Sequence, residues 1–523
     1  MSSRKKKSNE NNINLLAYNE KIISFNEDKA ILYMGMTDTQ SLFFRIITKD
    51  KDYYEGLFSL LENKNYIERY IEIDNAYGWL LDEITKIKYN KPESQIILYN
   101  EDDNHINYQR IININLDLKK DKKDIIIINN NEVMKLLNEF NKKYKTFITL
   151  CDPVITLYKK HINNQEFEQL CKFELNASII LFNNNNISDI TPLKDANFKN
   201  LVKLHLSGNI IKDLCIFNFQ KLSELNLGYN KIIDISQFEK SKMKKLEALF
   251  LDNNLISDIT VLEKVNFNNL KILNLSRNYI KNISSLEKGN FEKLVNLNLS
   301  CNNIIDISIF KNVEFNDLEI LNLSQNEIEK IKIEKKMNFP KMKNLNINHN
   351  NISEITIKDR ILLPKIKQID LSFNKIEKIN INKTQVLKNL LKLNLSQNKI
   401  EDISFLENIK TKSLKKLLLS YNKISNIEIL GDLYIKKITI LELNHNKISD
   451  INVLKYMSLK KLYKLDISNN LIKNIKSLEN LEIPLIRTIF LNDNLIIPNL
   501  QKNKDIAENL IQTYNTFLYL CLE

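Results

Sequence analysis

The 523-residue chain has little of what breaks or staples a backbone: seven glycines, seven prolines, five cysteines and one tryptophan. Glycine-set turns and Gly/Ser linkers are therefore excluded as its organising device. Gly35, Gly56, Gly78, Gly208, Gly228, Gly289 and Gly431 are isolated, and neither GxGxxG nor GxxxxGK forms around them, which excludes a phosphate-cradling loop. Cys151, Cys171, Cys215, Cys301 and Cys521 are odd in number and scattered without a CxxC pair, so neither a disulfide framework nor a zinc knuckle is encoded and a reducing compartment is expected. The longest uncharged apolar runs, such as 125–128 and 516–522, fall short of the ~20 residues that span a bilayer. Residues 1–30 open on Arg4-Lys5-Lys6-Lys7 and turn polar without an apolar core, so no secretory leader is read. A cytoplasmic location is expected, with the basic cluster as a nuclear-localisation candidate against a plain solvated tail.

Histidine is scarce as well. His105, His161, His205, His349 and His445 are dispersed, and the last two share a repeat column four coils apart, about 19 Å at strand spacing, too far to hold one ion. No metal, no cofactor and no catalytic residue is expected.

What the chain does have is a repeat. From residue 177 the pattern of Leu270-Lys-Ile-Leu273-Asn-Leu275-Ser-Arg-Asn278-Tyr-Ile280-Lys-Asn-Ile283 recurs, next as Leu294-Val-Asn-Leu297-Asn-Leu299-Ser-Cys-Asn302-Asn-Ile304-Ile-Asp-Ile307. The anchoring asparagine appears fourteen times: Asn185, Asn209, Asn230, Asn254, Asn278, Asn302, Asn326, Asn350, Asn374, Asn398, Asn422, Asn446, Asn470 and Asn494. Twelve of the thirteen intervals are 24 residues and one is 21. This is the LxxLxLxxN pattern of leucine-rich repeats, whose period is about 20 to 29. Alternation along a short strand sends Leu273 and Leu275 into the core and leaves Asn274 and Ser276 facing out. The anchor follows where the chain turns inward, and its amide can both donate to and accept from backbone groups that no ladder satisfies.

The far side of each coil places Ile at two and five residues past the anchor, Leu or Phe at eight, and a further apolar residue at thirteen: Phe198, Phe267, Phe291, Phe315 and Phe339 predict a buried phenylalanine spine. The coils anchored at Asn326, Asn350 and Asn374 carry polar Glu334, Lys358 and Asn382 at the eighth position, with Ile333, Ile357 and Ile381 before them. That Ile-x-Ile alternation predicts extended backbone and a local change of curvature. The N-x-I-x-x-I-x-x-L continuation resembles the SDS22-like class of leucine-rich repeat, in a 24-residue variant, the type found in protein phosphatase-1 regulators, spliceosomal and dynein-associated adaptors, and bacterial internalins. The resemblance spans 177 to about 500 and implies a rigid scaffold that binds another protein.

The expected fold is thus an α/β leucine-rich-repeat solenoid, a curved parallel sheet of fourteen repeats at 177–500, behind a small N-terminal α+β domain. A solenoid needs both ends covered. Residues 131–176 read as a helical N-terminal cap with Val133, Leu136, Leu137, Phe140 and Tyr144 on one face. Residues 501–523 read as a cap helix, with Ile506, Leu510, Tyr514, Phe517 and Leu518 at helical spacing. Residues 13–130 read as strands at Ala30–Gly35, Leu42–Thr48, Gln95–Tyr99, Tyr108–Leu118 and Ile125–Ile128, with helices at Tyr53–Leu61 and Ala76–Ile87 and Trp79 in the core. Residues 1–12 read as a disordered basic tail.

Of the 76 basic and 64 acidic residues, 26 and 27 fall within 1–175, which leaves 50 against 37, a net +13, for the repeats and −1 for the N-terminal region. The column Lys375, Lys399, Lys423 and Lys447 predicts a basic ridge diluted by Glu377, Glu401, Glu428 and Asp450. It reads as a solvating face, and no nucleic-acid fold or interleaved aromatic patch accompanies it.

Repetition separates scaffold columns from free ones. The position just before the anchor varies through Tyr229, Arg277, His349, Phe373, Tyr421 and His445, and aromatic residues and Arg are what interface hot spots use. On the inner face Phe250, Asp370, Leu418, Glu442, Asp466 and Phe490 depart from the common Asn. These twelve are the candidate protein-binding residues. The expected function is a non-catalytic protein-interaction scaffold that binds through the concave face and rim of an arc about 65 Å long, possible roles being regulation of a phosphatase or signalling protein. An exported effector or surface adhesin, and an enzyme acting through residues 13–130, are the alternatives.

Overall fold

The computed structural model describes residues 131–514 apart from short stretches, the strand Phe517–Tyr519 and, ahead of residue 131, strand segments only. The chain divides into two units, Met1–Asn131 and Glu132–Glu523. In the first, Leu15–Phe25, Asp28–Thr37, Ser41–Ile47, Tyr53–Ser59 and Tyr66–Ile67 form an antiparallel meander. The helix expected over Tyr53–Leu61 is a strand instead. Tyr53 to Ser59 pairs residue by residue with Ile47 to Ser41, and ladder bonds override a local helical pattern. Short strands at Ser94–Ile96 and Ile112–Ile114 pair with each other. The tail at 1–12, the helix at Ala76–Ile87, Trp79 and the strand at Ile125–Ile128 lie outside the described residues.

The second unit is one parallel sheet of sixteen strands in chain order. Fourteen are three-residue strands, one per repeat. Leu273 pairs with Leu249 and Leu297 in unbroken register, and the same column continues to Ile489. The apolar columns meet in one continuous core in which Leu273, Leu275, Ile280 and Ile283 are fully buried.

Each anchor ties its own coil to the preceding one. The Asn278 Nδ2 amide donates to the carbonyls of Leu251, one coil back, at 3.0 Å and of Leu275 at 3.1 Å. Its Oδ1 accepts the Ile256 N–H at 3.0 Å. The pattern repeats from Asn185 to Asn494 and satisfies the backbone at the point where the chain leaves the sheet.

The far wall is made of short 3₁₀ turns, and one position decides where they form. Four residues past the anchor, Asp189, Asp234, Asp258, Asp306, Asp402 and Asp450 accept the N–H two residues on, which starts the turn. In the three central coils that position is Lys330, Glu354 or Lys378, which offers no such short acceptor. There the chain runs extended as Lys330–Ile333, Glu354–Ile357 and Lys378–Ile381, a small parallel sheet of its own, in accord with the Ile-x-Ile alternation. Phe198, Phe267, Phe291, Phe315 and Phe339 are buried as expected. Ring contacts join Phe198 to Phe219, Phe267 to Phe238, and Phe315 and Phe339 both to Phe310, so the spine is cross-braced by neighbouring columns.

Residues 131–176 differ from an all-helical cap. Helices Asn131–Tyr144 and Asn164–Cys171 flank a strand, Val154–Thr156, that joins the long sheet beside Ile179–Leu181. Ile155, Leu157 and Ile162 occupy the core columns of an additional coil whose anchor position is Lys160. Lys160 supplies no amide; Asn185 of the next coil accepts the Ile162 N–H at 3.1 Å, as each anchor does for the coil before it, and in addition the Lys160 N–H at 3.0 Å. On the first helix Leu137 and Phe140 are buried and Tyr144 packs on Phe140, while Leu136 is exposed and off the expected face. At the other end the helix Gln501–Tyr514 buries Ile506 and Leu510, and Tyr514 Oη donates to the Leu481 carbonyl at 2.6 Å. The cap is not helical to its end. Phe517 and Leu518 lie in a strand, Phe517–Tyr519, that adds to the sheet edge at Thr488–Phe490.

Replacing Asn278 by Ala strands a buried N–H and two carbonyls, and should cost about 3 kcal/mol by denaturant titration. A loss below about 1 kcal/mol would deny the anchor its structural role. Glu166, in the capping box of the second helix, accepts the Asn163 N–H at 2.9 Å and pairs with Lys143 at 2.6 Å. Burial works to raise its pKa, but hydrogen bonds from Lys143, Tyr144 and the Asn163 backbone outweigh it and hold the carboxyl below its usual range. A depressed folded-state value stabilises above the unfolded pKa of about 4.3 and is lost as pH falls through the folded one. Hydrogen-exchange protection of the cap should therefore drop below about pH 4, and Glu166→Gln should flatten that dependence.

Candidate functional site

The backbone at the position before the anchor is the unusual feature of the surface. In all fourteen repeats this residue has positive φ, from +51° at His349 to +68° at Gly208. The turn out of the sheet demands it. From Asn184 to Asn469 the N–H of each such residue reaches forward to the next coil, Arg277 to the Ser300 carbonyl at 2.8 Å and Tyr421 to the Asn444 carbonyl at 2.9 Å. The left-handed region costs an L-residue about 1–2 kcal/mol, with Gly, Asn and Asp the residues that visit it readily. Five repeats use those types: Asn184, Gly208, Asn253, Asn469 and Asp493. Tyr229, Arg277, Cys301, Gln325, His349, Phe373, Gln397, Tyr421 and His445 carry the strain.

All six rim candidates lie in this column. Phe373 is 47% exposed, and His349 stacks on it with ring centroids 4.2 Å apart and planes 8° apart. Tyr421 and His445 stack in the same way at 3.9 Å and 15°. Gln397 stands between the two pairs, so one strip of five coils presents two flat aromatic platforms. Tyr229 and Arg277, six to eight coils away from Tyr421, belong to a different part of the rim.

The inner-face candidates all lie half-buried on the sheet face, in the column four residues before the anchor. The structure brings three of them together around a lysine. Lys464 Nζ lies 2.7 Å from Glu442, 3.7 Å from Asp466 and 5.3 Å from the Phe490 ring centroid. Asp370 accepts from Ser372 and from the Asn394 amide, with Lys392 at 3.6 Å. The acids are thus internally neutralised. Leu418 is in register between Asn394 and Glu442, and Phe250 between Asn226 and Asn274.

Two features escaped the sequence reading. At the N-terminal end of the sheet face Glu224 pairs with Lys203 at 2.7 Å and His205 at 2.8 Å; against burial, those hydrogen bonds hold its carboxyl below the ordinary range. At the rim and just beyond it, Tyr229 and then Ile210, Ile233, Leu255, Tyr279 and Ile305 are each 39–60% exposed. They mark an apolar stretch over coils two to six. Its signal was available, since the position after the anchor reads Ile210, Leu255 and Tyr279 here and Lys375, Lys399, Lys423 and Lys447 later. In that lysine column, Lys399 pairs with Glu377 at 3.1 Å and Lys423 with Glu401 at 3.3 Å, so half of the ridge is compensated.

Among the described residues no group of His, Cys, Asp and Glu could hold a metal ion, and no helix is long and apolar enough to cross a membrane. Cys171 and Cys215 are buried thiols. Burial raises both, Cys215 to about 11, which makes them poor nucleophiles.

A family model described as leucine-rich repeats (2 copies) matches residues 220–264. No curated protein matches the chain. Among solved structures, a leucine-rich-repeat protein of Leptospira interrogans aligns over 74% of this chain and 98% of its own, at 21% identity and a TM-score of 0.53. The Arabidopsis receptor kinase HAESA, solved with the peptide hormone IDA and the co-receptor SERK1, aligns over 70% of this chain and 78% of its own, at 17% identity and a TM-score of 0.39. Residues 132–523 have the leucine-rich-repeat solenoid fold, an open parallel sheet built of one short strand per coil.

Because Arg277 is exposed and makes no ion pair among the described residues, its strain can be isolated. Arg277→Asn should raise stability by about 0.5–1 kcal/mol in denaturant melts, and Arg277→Val should lower it by at least as much, because a β-branched residue tolerates positive φ worst. Equal effects of the two would show that the rim backbone is unstrained.

Proposed function

We propose that this chain is a non-catalytic protein-interaction scaffold whose partner docks on the concave sheet face and the adjoining rim. One observation carries the reading. Large aromatic and basic side chains stand where the backbone would be served better by Gly or Asn, and four of them form two exposed flat platforms. Strain of this kind collects at functional positions, and aromatic residues with Arg dominate binding hot spots. The partner footprint centres on Phe373, Tyr421 and His445, with Asp370, Leu418 and the Glu442–Lys464–Asp466 cluster on the sheet face beside them. Tyr229, Phe250 and Arg277 serve a second contact towards the N-terminal end of the repeats.

Kinship with the SDS22-like class, and with it regulation of a phosphatase or another signalling protein, is the particular role we infer; the repeat continuation N-x-I-x-x-I-x-x-L supports it. A reducing, cytoplasmic setting belongs to the same proposal and is supported by the unpaired thiols. Affinity capture from a cell extract with the wild type and with a Phe373→Asn, Tyr421→Asn, His445→Asn variant tests the footprint. Asn keeps the left-handed backbone, so folding is preserved and the loss is one of contact. Partner recovery should fall by about tenfold or more; recovery equal to wild type removes the rim assignment.

A further inference from the structure

The middle of the sheet face differs from the rest of this chain. Over the four coils anchored at Asn278, Asn302, Asn326 and Asn350, every outward strand position from Ile272 to Asn348 is Ile, Asn or Ser, although 27% of the chain is charged. The charges at the strand entrance are spent on each other, Lys271 on Glu247 at 2.9 Å and Lys343 on Glu319 at 2.5 Å. Arg277 and His349 stand at the opposite, rim side.

The line Asn274, Asn298, Asn322 and Asn346 runs along the centre, one residue per coil in register. Each Oδ1 is occupied by the backbone N–H two residues on, at 3.1–3.2 Å. An N–H can bond only to the oxygen of an amide, so this contact fixes the side-chain orientation and turns every NH₂ away from its own turn. Among the described residues nothing accepts from these four Nδ2 groups. The result is a row of outward hydrogen-bond donors, spaced at ~4.8 Å, whose oxygens already serve the turn. Beside it Ile272 and Ile320 alternate with Asn296 and Asn344, which puts an apolar contact at every second coil, ~9.6 Å apart.

A ligand complementary to this strip is uncharged, presents a row of acceptors to the amide donors, and repeats at that distance. A polyproline II segment meets all three conditions. Proline has no N–H, the backbone carbonyls of this helix are unpaired, and three residues at ~3.1 Å each make a turn of ~9.3 Å. We propose that the central sheet face binds a proline-rich polyproline II segment of the partner, lying along the solenoid with its carbonyls on the asparagine amides and a prolyl ring per turn on Ile272 and Ile320. This rests on the scaffold reading above and specifies its ligand. It places that ligand away from the rim strip of Phe373 and Tyr421.

The test uses the full-length protein and a fluorescein-labelled proline dodecamer in an anisotropy titration. Wild type should bind saturably with a micromolar Kd. Asn298→Asp with Asn322→Asp should weaken binding by about tenfold or more, with the circular dichroism of the folded chain retained. Asp keeps the acceptor that the turn uses, as Asp370 does natively in the same column, and replaces each donor with a negative charge that repels the carbonyls of the ligand. Three results would overturn the inference: no binding by wild type up to ~1 mM, equal binding by the double Asp variant, or displacement of the dodecamer by a neutral oligosaccharide or a Gly-Ser peptide as readily as by unlabelled polyproline. The rim triple variant should bind the dodecamer like wild type. If it does not, the site is not the amide strip. If capture of the partner depends on the rim while the dodecamer does not bind, this inference fails and the scaffold reading stands.

Discussion

The anchoring asparagine amide at the end of each repeat's strand, buried in most coils, is the interaction on which the rest depends. A coil of 24 residues that leaves its sheet after three must bury a turn, and a turn cannot satisfy its own backbone groups. Asn solves this with one side chain that donates to two carbonyls and accepts one N–H, spanning two coils. Because each amide joins neighbours only, order passes along the chain pairwise, as in other solenoids. The apolar columns supply the bulk of the stabilisation, while the amides set the pitch at which those columns meet. Where a coil lacks the amide, as at Lys160, the regular bonds from the next coil's Asn185, with one more from the Lys160 N–H, still tie it in.

The same turn creates the surface. Bringing the anchor inward forces the residue before it into the left-handed region, where it stands at the rim with its side chain free. The scaffold therefore presents one strained outward position per coil, which contributes little to packing and can be varied without disturbing the core. Stacking of His349 on Phe373 and of Tyr421 on His445 recovers part of the strain. It also converts single side chains into platforms wide enough to matter in recognition. The sheet face is quieter, with Glu224, Asp370, Glu442 and Asp466 already paired to lysines of their own or an adjacent coil, so its contribution to binding lies in shape and directed amides more than in net charge.

Much of this was legible in the residues. The period, the anchors, the phenylalanine spine and the extended central coils all follow from columns that repeat often enough to be aligned against themselves. What escaped follows a common cause. The additional coil at Val154–Thr156 has Lys160 where the anchor belongs, so the strongest mark of the repeat is absent although Ile155, Leu157 and Ile162 keep the apolar spacing. Tyr53–Ser59 and Phe517–Tyr519 are strands because a neighbouring strand is available, which a local pattern does not record. The switch between 3₁₀ turn and strand on the far wall was in plain view as Asp or Asn against Lys330, Glu354 and Lys378. It acquires meaning only when the hydrogen bond it makes is seen.

By itself the sequence determined the architecture of residues 177–500, because short-range periodicity and nearest-neighbour stacking leave one way to bury the apolar columns. It also marked the rim column as free. The tertiary structure decided what that freedom costs and which residues act together: the positive φ of the rim, the two stacked pairs, the gathering of Glu442, Asp466 and Phe490 around Lys464, and the outward NH₂ groups of Asn274, Asn298, Asn322 and Asn346, for which the described residues supply no acceptor. Each of these depends on contacts between coils 24 residues apart, where the direction of a side chain and the partner it meets are set by the register of the sheet.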